Sequence, residues 1–284
     1  MHELLNTTFL IRPSSLTGWP DCQRRTAARL FPQLVAAAGF TLRRLEPHIG
    51  ATVGTATHSG AGYSLKEKLN GRGLGQESDA IEVSMVSFKK EIVDGVTWDT
   101  TTRDRGAAEK QIARMVHVYR RDVAPKIEPI AVEERLKAKV ADRFELSGQK
   151  DVLARMPKAL EDLKTGKIRR ANGVQYGAYC MIEKAHGRQV DHIFEDFIPR
   201  SAVSKEQAPA ERLEYDVQAC YAEAYETILD MKRAIEDFVE RLVTGKRPPE
   251  GAFRANPMSM LCSDKYCPCW GTDFCKLHRR PKET

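Results

Sequence analysis

The sequence has 284 residues, of which 42% are hydrophobic and 30% charged. This length and composition are typical of a folded globular protein with a substantial buried core rather than of a disordered one. The formal charge of +6 suits a polyanionic partner but does not require one. No stretch approaches the roughly 18 apolar residues of a membrane span. The first residues lack a secretory signal pattern, so we expect a cytoplasmic protein with no membrane association.

The N-terminal part, residues 1–127, is predicted to be mainly helical. Apolar residues recur at helical spacing over residues 14–45 and again over 107–123, and Pro125 ends the second of these predicted helices. Between them, residues 50–66 are rich in small side chains, which permit close approach of a helix to another backbone.

The middle of the chain changes to the period of strands and then returns to helices. The predicted elements are two strands within 128–154, a strand over 159–167, a helix over 173–185, a strand over 190–198 and a long helix from about 214 to 243. This order predicts an α/β fold with a central mixed β-sheet flanked by helices. We expect a single domain over 1–284, with a catalytic sheet core at 128–200, a long helix within 201–250 and a cysteine-rich segment with a basic tail at 251–284.

Two carboxylates and a lysine are the strongest candidates for chemistry. Asp162 and Lys164 are two residues apart on one predicted strand, so their side chains share a face. A turn at Pro157 can bring Asp151, on the preceding strand, beside them. Two carboxylates at one site repel each other unless a cation lies between them, and Mg²⁺ or Mn²⁺ prefers such oxygen ligands. Taken alone, this short pattern also fits surface charges on an exposed strand.

Four cysteines lie within fourteen residues near the C-terminus: Cys262, Cys267, Cys269 and Cys275. In a reducing compartment such a group indicates a bound soft metal, which is either zinc or an iron–sulfur cluster. The paired C-x-x-C spacing that zinc ribbons prefer is missing. Two further cysteines, Cys180 and Cys220, fall on predicted helix faces and are interpreted as core thiols.

Basic residues form three groups, at Arg24–Arg25, at Lys167–Arg170 and from Lys276 to Lys282. The second group follows directly after the strand that carries Lys164, where it could contact a phosphate backbone. Each group is equally consistent with an ordinary solvated surface.

Several short motifs, in order along the chain, resemble the core of PD-(D/E)XK nucleases of the RecB-like branch. The branch is marked by Gly-x-x-x-His, then Gly-x-x-Asp, then acid-x-Lys-Thr-Gly, then a helix with Gln-x-x-x-Tyr. The matching residues are Gly54 and His58, Gly148 and Asp151, Asp162 with Lys164, Thr165 and Gly166, and Gln175 and Tyr179. The resemblance covers roughly residues 10–280 and implies a restriction-endonuclease-like core.

The resemblance implies specific roles at this site. Divalent cations would be bound by His58, Asp151 and Asp162, with help from the backbone carbonyl of Leu163, and Lys164 would assist attack of water on phosphorus. Gln175 and Tyr179, which share one helical face, would assist catalysis or contact a DNA phosphate. An acid at the position of Glu133 is also common in the branch, but here a solvated strand charge is the preferred interpretation.

Members of this branch that carry a cluster take one cysteine from the N-terminal region and three from the C-terminal segment. The resemblance therefore implies a 4Fe–4S cluster on Cys22, Cys262, Cys267 and Cys275 that joins the two ends of the chain. The spacings of x4, x1 and x5 differ from the usual C-x-x-C then x5-C. Cys269 is thus an alternative ligand, and zinc is the alternative metal.

The function expected from these observations is a Mg²⁺- or Mn²⁺-dependent deoxyribonuclease, in particular an exonuclease in recombination, repair or phage DNA processing. The resemblance implies a bacterial or phage origin, with a helicase or recombination partner and a homo-oligomer as open options. The alternative is a non-catalytic, cluster- or zinc-stabilised subunit that binds DNA ends. Radical chemistry on RNA is disfavoured because no CxxxCxxC run occurs.

Overall fold

The computed structural model of the chain describes residues 7–277, and both the first six residues and the basic tail after Leu277 lie outside the described part. Helices dominate the N-terminal half. They are α1 (Pro13–Leu16), α2 (Gln23–Leu30), α3 (Pro32–Ala37), α4 (Ile49–Leu69), α5 (Glu77–Glu91) and α6 (Arg105–Val118), the last continuing through a π-helical turn at Tyr119–Val123 and a 3₁₀ turn at Ala124–Lys126. None of the described helices is long and apolar enough to span a bilayer.

The strands form two sheets. They are β1 (Phe9–Ile11), β2 (Pro129–Val132), β3 (Arg135–Ala141), β4 (Phe144–Gln149), β5 (Val152–Ala154), β6 (Ala159–Gly166), β7 (His192–Pro199) and β8 (Glu211–Tyr215). The larger sheet has the order β2-β5-β6-β7-β8, with β6 and β7 parallel and the other pairs antiparallel. The smaller sheet has the order β1-β4-β3. The architecture is therefore α/β with mixed sheets flanked by helices, as the order of predicted elements indicates.

Two hydrophobic cores pack on opposite faces of the larger sheet. One core contains α7 (Gly173–Ala185) and α8 (Val217–Thr244), together with both ends of the described chain. The other contains α4, α5 and α6. Leu160 on β6 belongs to the first core and Leu163 to the second, as the alternation of side chains along a strand requires.

The segments β2–β3 and β4–β5 form one long hairpin that belongs to both sheets. Each segment passes between the larger and the smaller sheet at the same position along the hairpin. The chain leaves β2 for β3 at Glu133 and leaves β4 for β5 at Asp151, and the Glu133 amide donates to the Asp151 carbonyl at 2.8 Å. Glu133 has a φ of 51°, in the left-handed region that is uncommon for a residue other than glycine. Asp151 therefore lies in a bend between two strands rather than on a strand as predicted.

Three of the predictions are wrong in the extent of the elements. Residues 14–45 form three short helices instead of one because Pro20 and Pro32 cannot continue a helix. Each of the two strands predicted within 128–154 is divided at the crossover between the sheets. The long helix begins at Val217 rather than near 214, since the preceding residues form β8.

The two ends of the described chain pack against each other. The Trp19 indole donates to Asp230 at 2.8 Å and stacks edge-on against Phe253. The carbonyl of Arg254 accepts from the Arg24 amide at 3.1 Å. These contacts bring the N-terminal helices against the cysteine-rich segment.

Candidate active site

His58 on α4 and Asp151 in the bend after β4 face each other. The Nδ1 atom of His58 lies 3.2 Å from Oδ2 of Asp151, and the same oxygen accepts from the Leu163 amide at 2.9 Å. A Cβ added at Gly54 would lie 2.8 Å from the Thr165 hydroxyl, so the missing side chain lets α4 approach β6 closely enough for His58 to reach the carboxylate. The two motif residues that the sequence separates by 93 positions are thus in contact.

Asp162 and Lys164 lie on β6 and point toward α7. The ammonium of Lys164 is 2.6 Å from Oδ2 of Asp162 and 3.3 Å from the amide oxygen of Gln175. Asp162 is 4% exposed, whereas Lys164 is a quarter exposed at the opening of the site. A small cavity is lined by His58, Asp151 and Asp162 together. The predicted convergence of two carboxylates and a lysine is therefore found.

Tyr176 and Glu195 also surround Asp162. Neither residue was predicted from the sequence to belong to the site. The Tyr176 hydroxyl lies 3.2 Å from Asp162 and 2.5 Å from Oε2 of Glu195. Glu195 is fully buried on β7 and lies directly beside Asp162 in the parallel β6–β7 register. Tyr176 is adjacent to Gln175 in the sequence, but Glu195 could be found only from the register of β7 on β6.

Tyr179 lies next to the site without contacting a carboxylate through its hydroxyl. That hydroxyl donates to the Gln149 carbonyl at 2.8 Å, two residues before Asp151. Its ring packs over Gly148, where an added Cβ would come within 2.6 Å of the ring. These contacts fix the end of β4, and the predicted part of Tyr179 in catalysis or in contact with a DNA phosphate stays a prediction.

The pKa values of the two carboxylates are shifted in opposite directions. Burial raises the pKa of Asp162, although the Lys164 ammonium opposes this effect. At Asp151 burial acts in the same direction, but His58 outweighs it and lowers the pKa. Burial alone would lower the pKa of His58, yet the Asp151 carboxylate raises it overall. Each carboxylate thus lies beside one basic side chain of the protein, Asp151 beside His58 and Asp162 beside Lys164.

The opposite face of β6 carries a second buried acidic pair. Glu161 and Asp196 are 2% and 3% exposed, and the Arg212 guanidinium lies 2.7 Å and 2.8 Å from them. Burial raises the pKa of Glu161 to about 7 despite the arginine. The pair joins β6, β7 and β8, and both of its carboxylates line the same small cavity as His58, Asp151 and Asp162.

The donor set suits a hard divalent cation, since carboxylate oxygens and a neutral imidazole are common ligands of Mn²⁺ and carboxylates of Mg²⁺. Among residues 7–277, no group of three or more His, Cys, Asp or Glu side chains is already arranged to hold a metal ion. The His58–Asp151 and Lys164–Asp162 contacts would have to open for a cation to take their place. The metal ligands His58, Asp151, Asp162 and the Leu163 carbonyl therefore stay a prediction.

Five cysteines surround a second small cavity: Cys22, Cys262, Cys267, Cys269 and Cys275. Cys22 is the N-cap residue of α2, and the other four come from the C-terminal segment. A hydrogen bond from the Cys269 thiol, with Arg25 and Arg29 nearby, lowers the pKa of Cys267 to about 6. The N- and C-terminal thiols are thus brought together as predicted, whereas Cys180 and Cys220 are buried in the core between α7 and α8.

The predicted basic group at Arg24–Arg25 does not form a surface patch. Both side chains are buried, and Arg25 pairs with Asp21 at 2.5 Å and donates to Ser259 at 3.0 Å. Arg24 donates to the Glu250 carbonyl at 2.7 Å. These arginines hold the C-terminal segment in place instead of facing a nucleic acid.

Comparison with known proteins supports the fold but gives no family. No family model and no curated protein sequence matches the chain. Among solved structures, the chain resembles a protein from Eubacterium rectale that is named provisionally as an exonuclease, with 12% identity, a TM-score of 0.56, and coverage of 92% of this chain and 90% of that one. LHK-Exo, solved with dAMP, matches with 13% identity over 68% of this chain and 98% of that one, but its TM-score of 0.30 carries no argument. The first likeness shows a shared fold.

Proposed function

We propose that the protein is a divalent-cation-dependent DNA nuclease, specifically an exonuclease that hydrolyses phosphodiester bonds at DNA ends. One observation carries the proposal: Asp151 and Asp162 line one cavity together with His58, which contacts Asp151, and the Lys164 ammonium contacts Asp162. The fold shared with the Eubacterium rectale protein, and the name of that protein, agree with this assignment.

The residues that would hold the cation are His58, Asp151 and Asp162, with the Leu163 carbonyl. When bound there, the cation would polarise the phosphodiester and lower the pKa of a water molecule. The rest of the chemistry belongs to this chain. Lys164, a quarter exposed and charged, can stabilise the negative charge that develops on phosphorus oxygens during attack.

The residues behind the carboxylates fix their orientation. Gln175 accepts from Lys164, and Tyr176 lies between Asp162 and Glu195, so both charged groups of β6 have a hydrogen-bonding partner on α7 that orients them. Burial at Asp162 excludes water on the α7 side. The site is thus supported by side chains from β6, β7 and α7 rather than by loops alone.

The test is hydrolysis of end-labelled linear DNA with Mn²⁺, comparing the wild-type protein with Asp162→Asn. We expect the variant to lose at least about 100-fold in rate, as for removal of one group that stabilises a transition state. Glu240→Gln, an exposed acid on α8, is the matched control and should retain wild-type activity. Equal rates for wild type and Asp162→Asn would favour the alternative, a non-catalytic subunit that binds DNA ends.

We also propose that the five-cysteine cavity binds a 4Fe–4S cluster through Cys22 and three cysteines of the C-terminal segment. The support is that all five thiols line one cavity, and that the lowered pKa of Cys267 favours the thiolate form that ligation requires. A bound cluster would join the two ends of the chain covalently. Zinc is the competing metal, and iron and sulfide analysis of the purified protein distinguishes the two.

A further inference from the structure

An open cleft beside the end of β6 combines aromatic rings with positive charge. Four separate segments of the chain meet there. The side chains that line it include His48, Trp98, Arg103, Lys167, Lys265 and Tyr266. Neither the carboxylate site nor the cysteine cavity includes these side chains.

The aromatic side chains of the cleft are accessible. Trp98 is 36% exposed, so a substantial part of its side chain is open to solvent. Tyr266 is half-buried, and its ring centroid lies 6.2 Å from that of His48. Lys265 lies 5.4 Å from the centre of the Tyr266 ring. A planar ligand could therefore stack on rings that are already flanked by a cation.

The cleft is positively charged. Arg103, Lys167 and Lys265 line it, against a single acidic side chain, Asp99. That carboxylate lies 2.6 Å from the buried guanidinium of Arg200 and 3.3 Å from Lys167, so its charge is already neutralised. Burial lowers the pKa of His48, and the nearby Lys265 lowers it further. The positive charge that remains in the cleft thus favours binding of a polyanion.

The loop that carries Trp98 is held in place. Thr97 makes two backbone hydrogen bonds with the residues around the start of α4. Its amide donates to the Pro47 carbonyl at 2.9 Å, and its carbonyl accepts from the Ile49 amide at 3.0 Å. On the other side of Trp98, Oδ1 of Asp99 accepts from the amides of Thr101 and Thr102, both at 2.8 Å. A ring on such a loop can bind a ligand without first being ordered.

The strand β6 connects the cleft with the candidate active site. Lys167 follows Lys164 by three residues at the end of that strand. At the rise of an extended strand this corresponds to roughly 10 Å. A nucleic acid strand with its phosphodiester at Lys164 would therefore pass the cleft within a few nucleotides.

We propose that this cleft binds an unpaired DNA strand adjacent to the reacting phosphodiester, with a base stacked on Trp98 and phosphates contacted by Lys167, Lys265 and Arg103. The inference rests on the proposed nuclease function and names its substrate as a single strand or a frayed end. Aromatic rings can stack on unpaired bases of any sequence, whereas bases within a duplex are covered by their neighbours.

The test is fluorescence anisotropy with a short labelled oligothymidylate, in the absence of divalent cations so that no hydrolysis occurs. Trp98→Ala should weaken binding about five- to a hundredfold, the range for removal of one base-stacking ring. Trp98→Phe should retain most of the affinity because a ring is kept. Tyr225→Ala, which removes an exposed aromatic ring on α8, is the matched control and should bind like wild type.

The lysines are tested through the salt dependence of binding. Lys167→Ala and Lys265→Ala should each reduce the slope of log affinity against log salt by about 0.7, the value for one phosphate contact on a single strand. Unchanged oligothymidylate binding by Trp98→Ala would overturn the proposal, as would an equal loss of affinity for a blunt duplex.

The binding test of the cleft and the nuclease assay can fail independently of each other. If Mn²⁺ supports no hydrolysis but Trp98→Ala loses oligothymidylate binding, the cleft is confirmed and the hydrolytic proposal fails. If the wild-type protein hydrolyses DNA and Trp98→Ala binds and hydrolyses single strands equally well, the cleft is refuted and the nuclease stands.

Discussion

The hydroxyl of Tyr176 lies 2.5 Å from the buried carboxylate of Glu195. Tyr215 and Asn172 donate to the same carboxylate oxygen at 3.1 Å and 2.9 Å. Burial and the carboxylate of Asp162 raise the pKa of Tyr176, so the hydroxyl keeps its proton. Glu195 is thereby fixed as an acceptor, and Tyr176 is held against Asp162.

Tyr176→Phe should lower nuclease activity by about tenfold or more while leaving the fold intact, because it removes a group that orients Asp162, the carboxylate proposed to bind the cation. The measurement is the rate of Mn²⁺-dependent hydrolysis together with a thermal melt. Tyr225→Phe, on the exposed face of α8, controls for loss of a hydroxyl elsewhere. Wild-type activity in Tyr176→Phe would show that Asp162 does not need this contact.

Glu195→Gln should destabilise the protein by about 1–3 kcal/mol, because the charged acceptor shared by several buried donors becomes a neutral amide. Chemical denaturation measures the loss. The exposed Glu240→Gln provides the comparison for the loss of one negative charge. An unchanged free energy of unfolding would contradict the part assigned to Glu195.

Lys164→Met should reduce the rate of hydrolysis by about 100-fold or more with little effect on DNA affinity, because the ammonium acts on charge that develops in the transition state. Single-turnover rates and binding by anisotropy separate the two quantities. Lys232→Met, on α8, is a control for a lysine in an ordinary surface ion pair. A variant that binds DNA weakly but reacts at the wild-type rate would instead assign Lys164 to substrate binding.

Glu161 gives a pH dependence of stability whose sign follows from its raised pKa. Its pKa is about 7 in the folded protein against an ordinary value of 4.5, so the folded state holds the proton more tightly. The stabilisation is fully present below pH 4.5 and is lost as pH rises toward and past 7, by up to roughly 3 kcal/mol. The glutamine of Glu161→Gln does not titrate, so the variant lacks this loss of stability at higher pH.

The melting temperature of Glu161→Gln should therefore rise relative to wild type between pH 5 and pH 8, by about 2–4 °C for each kcal/mol. Taking the difference between the two proteins at each pH removes the contribution of all other titrating groups. A constant difference across this range would mean that Glu161 is ionised in the folded protein throughout.

If the five-cysteine cavity holds a 4Fe–4S cluster, the protein should contain iron and sulfide in a fixed ratio to the chain. Protein purified without oxygen should be brown and contain about four iron and four sulfide per chain. Cys22→Ser should lose most of this iron, whereas Cys180→Ala, a core thiol outside the cavity, should keep it. Colourless protein that contains zinc would refute the cluster.

The same series identifies the C-terminal ligands. Cys262 is half-exposed, whereas Cys267, Cys269 and Cys275 are buried around the cavity. Each is replaced in turn by serine, and the cysteine whose loss leaves the iron content unchanged is the non-ligand. Retention of iron in Cys267→Ser, the cysteine with the lowered pKa, would contradict the assigned thiolate.

The parts of the site that could be predicted from the sequence are those set by local periodicity. Asp162 and Lys164 share a face because they are two residues apart on one strand, and Gln175 reaches Lys164 because α7 follows that strand directly. The helix over 173–185 is found with the predicted bounds. These relations need no knowledge of distant contacts.

The parts that could not be predicted depend on pairing between distant segments. Glu195 lies beside Asp162 only because β7 pairs in parallel with β6 in one register, and a shift by one residue would place Asp196 there instead. The bend at Asp151 arises where β4 and β5 enter different sheets, which strand patterning does not encode. The burial of Arg24 and Arg25 likewise follows from packing of the C-terminal segment, not from their own neighbourhood.

The most direct test of the central claim is the position of Mn²⁺ in crystals of the protein soaked with that ion, located by its anomalous scattering. The account predicts a peak in contact with carboxylate oxygens of both Asp151 and Asp162, with His58 turned from its present contact with Asp151 toward the ion. The same soak with Asp162→Asn should lose or weaken the peak. Absence of Mn²⁺ between the two carboxylates at a concentration that supports hydrolysis would contradict the account.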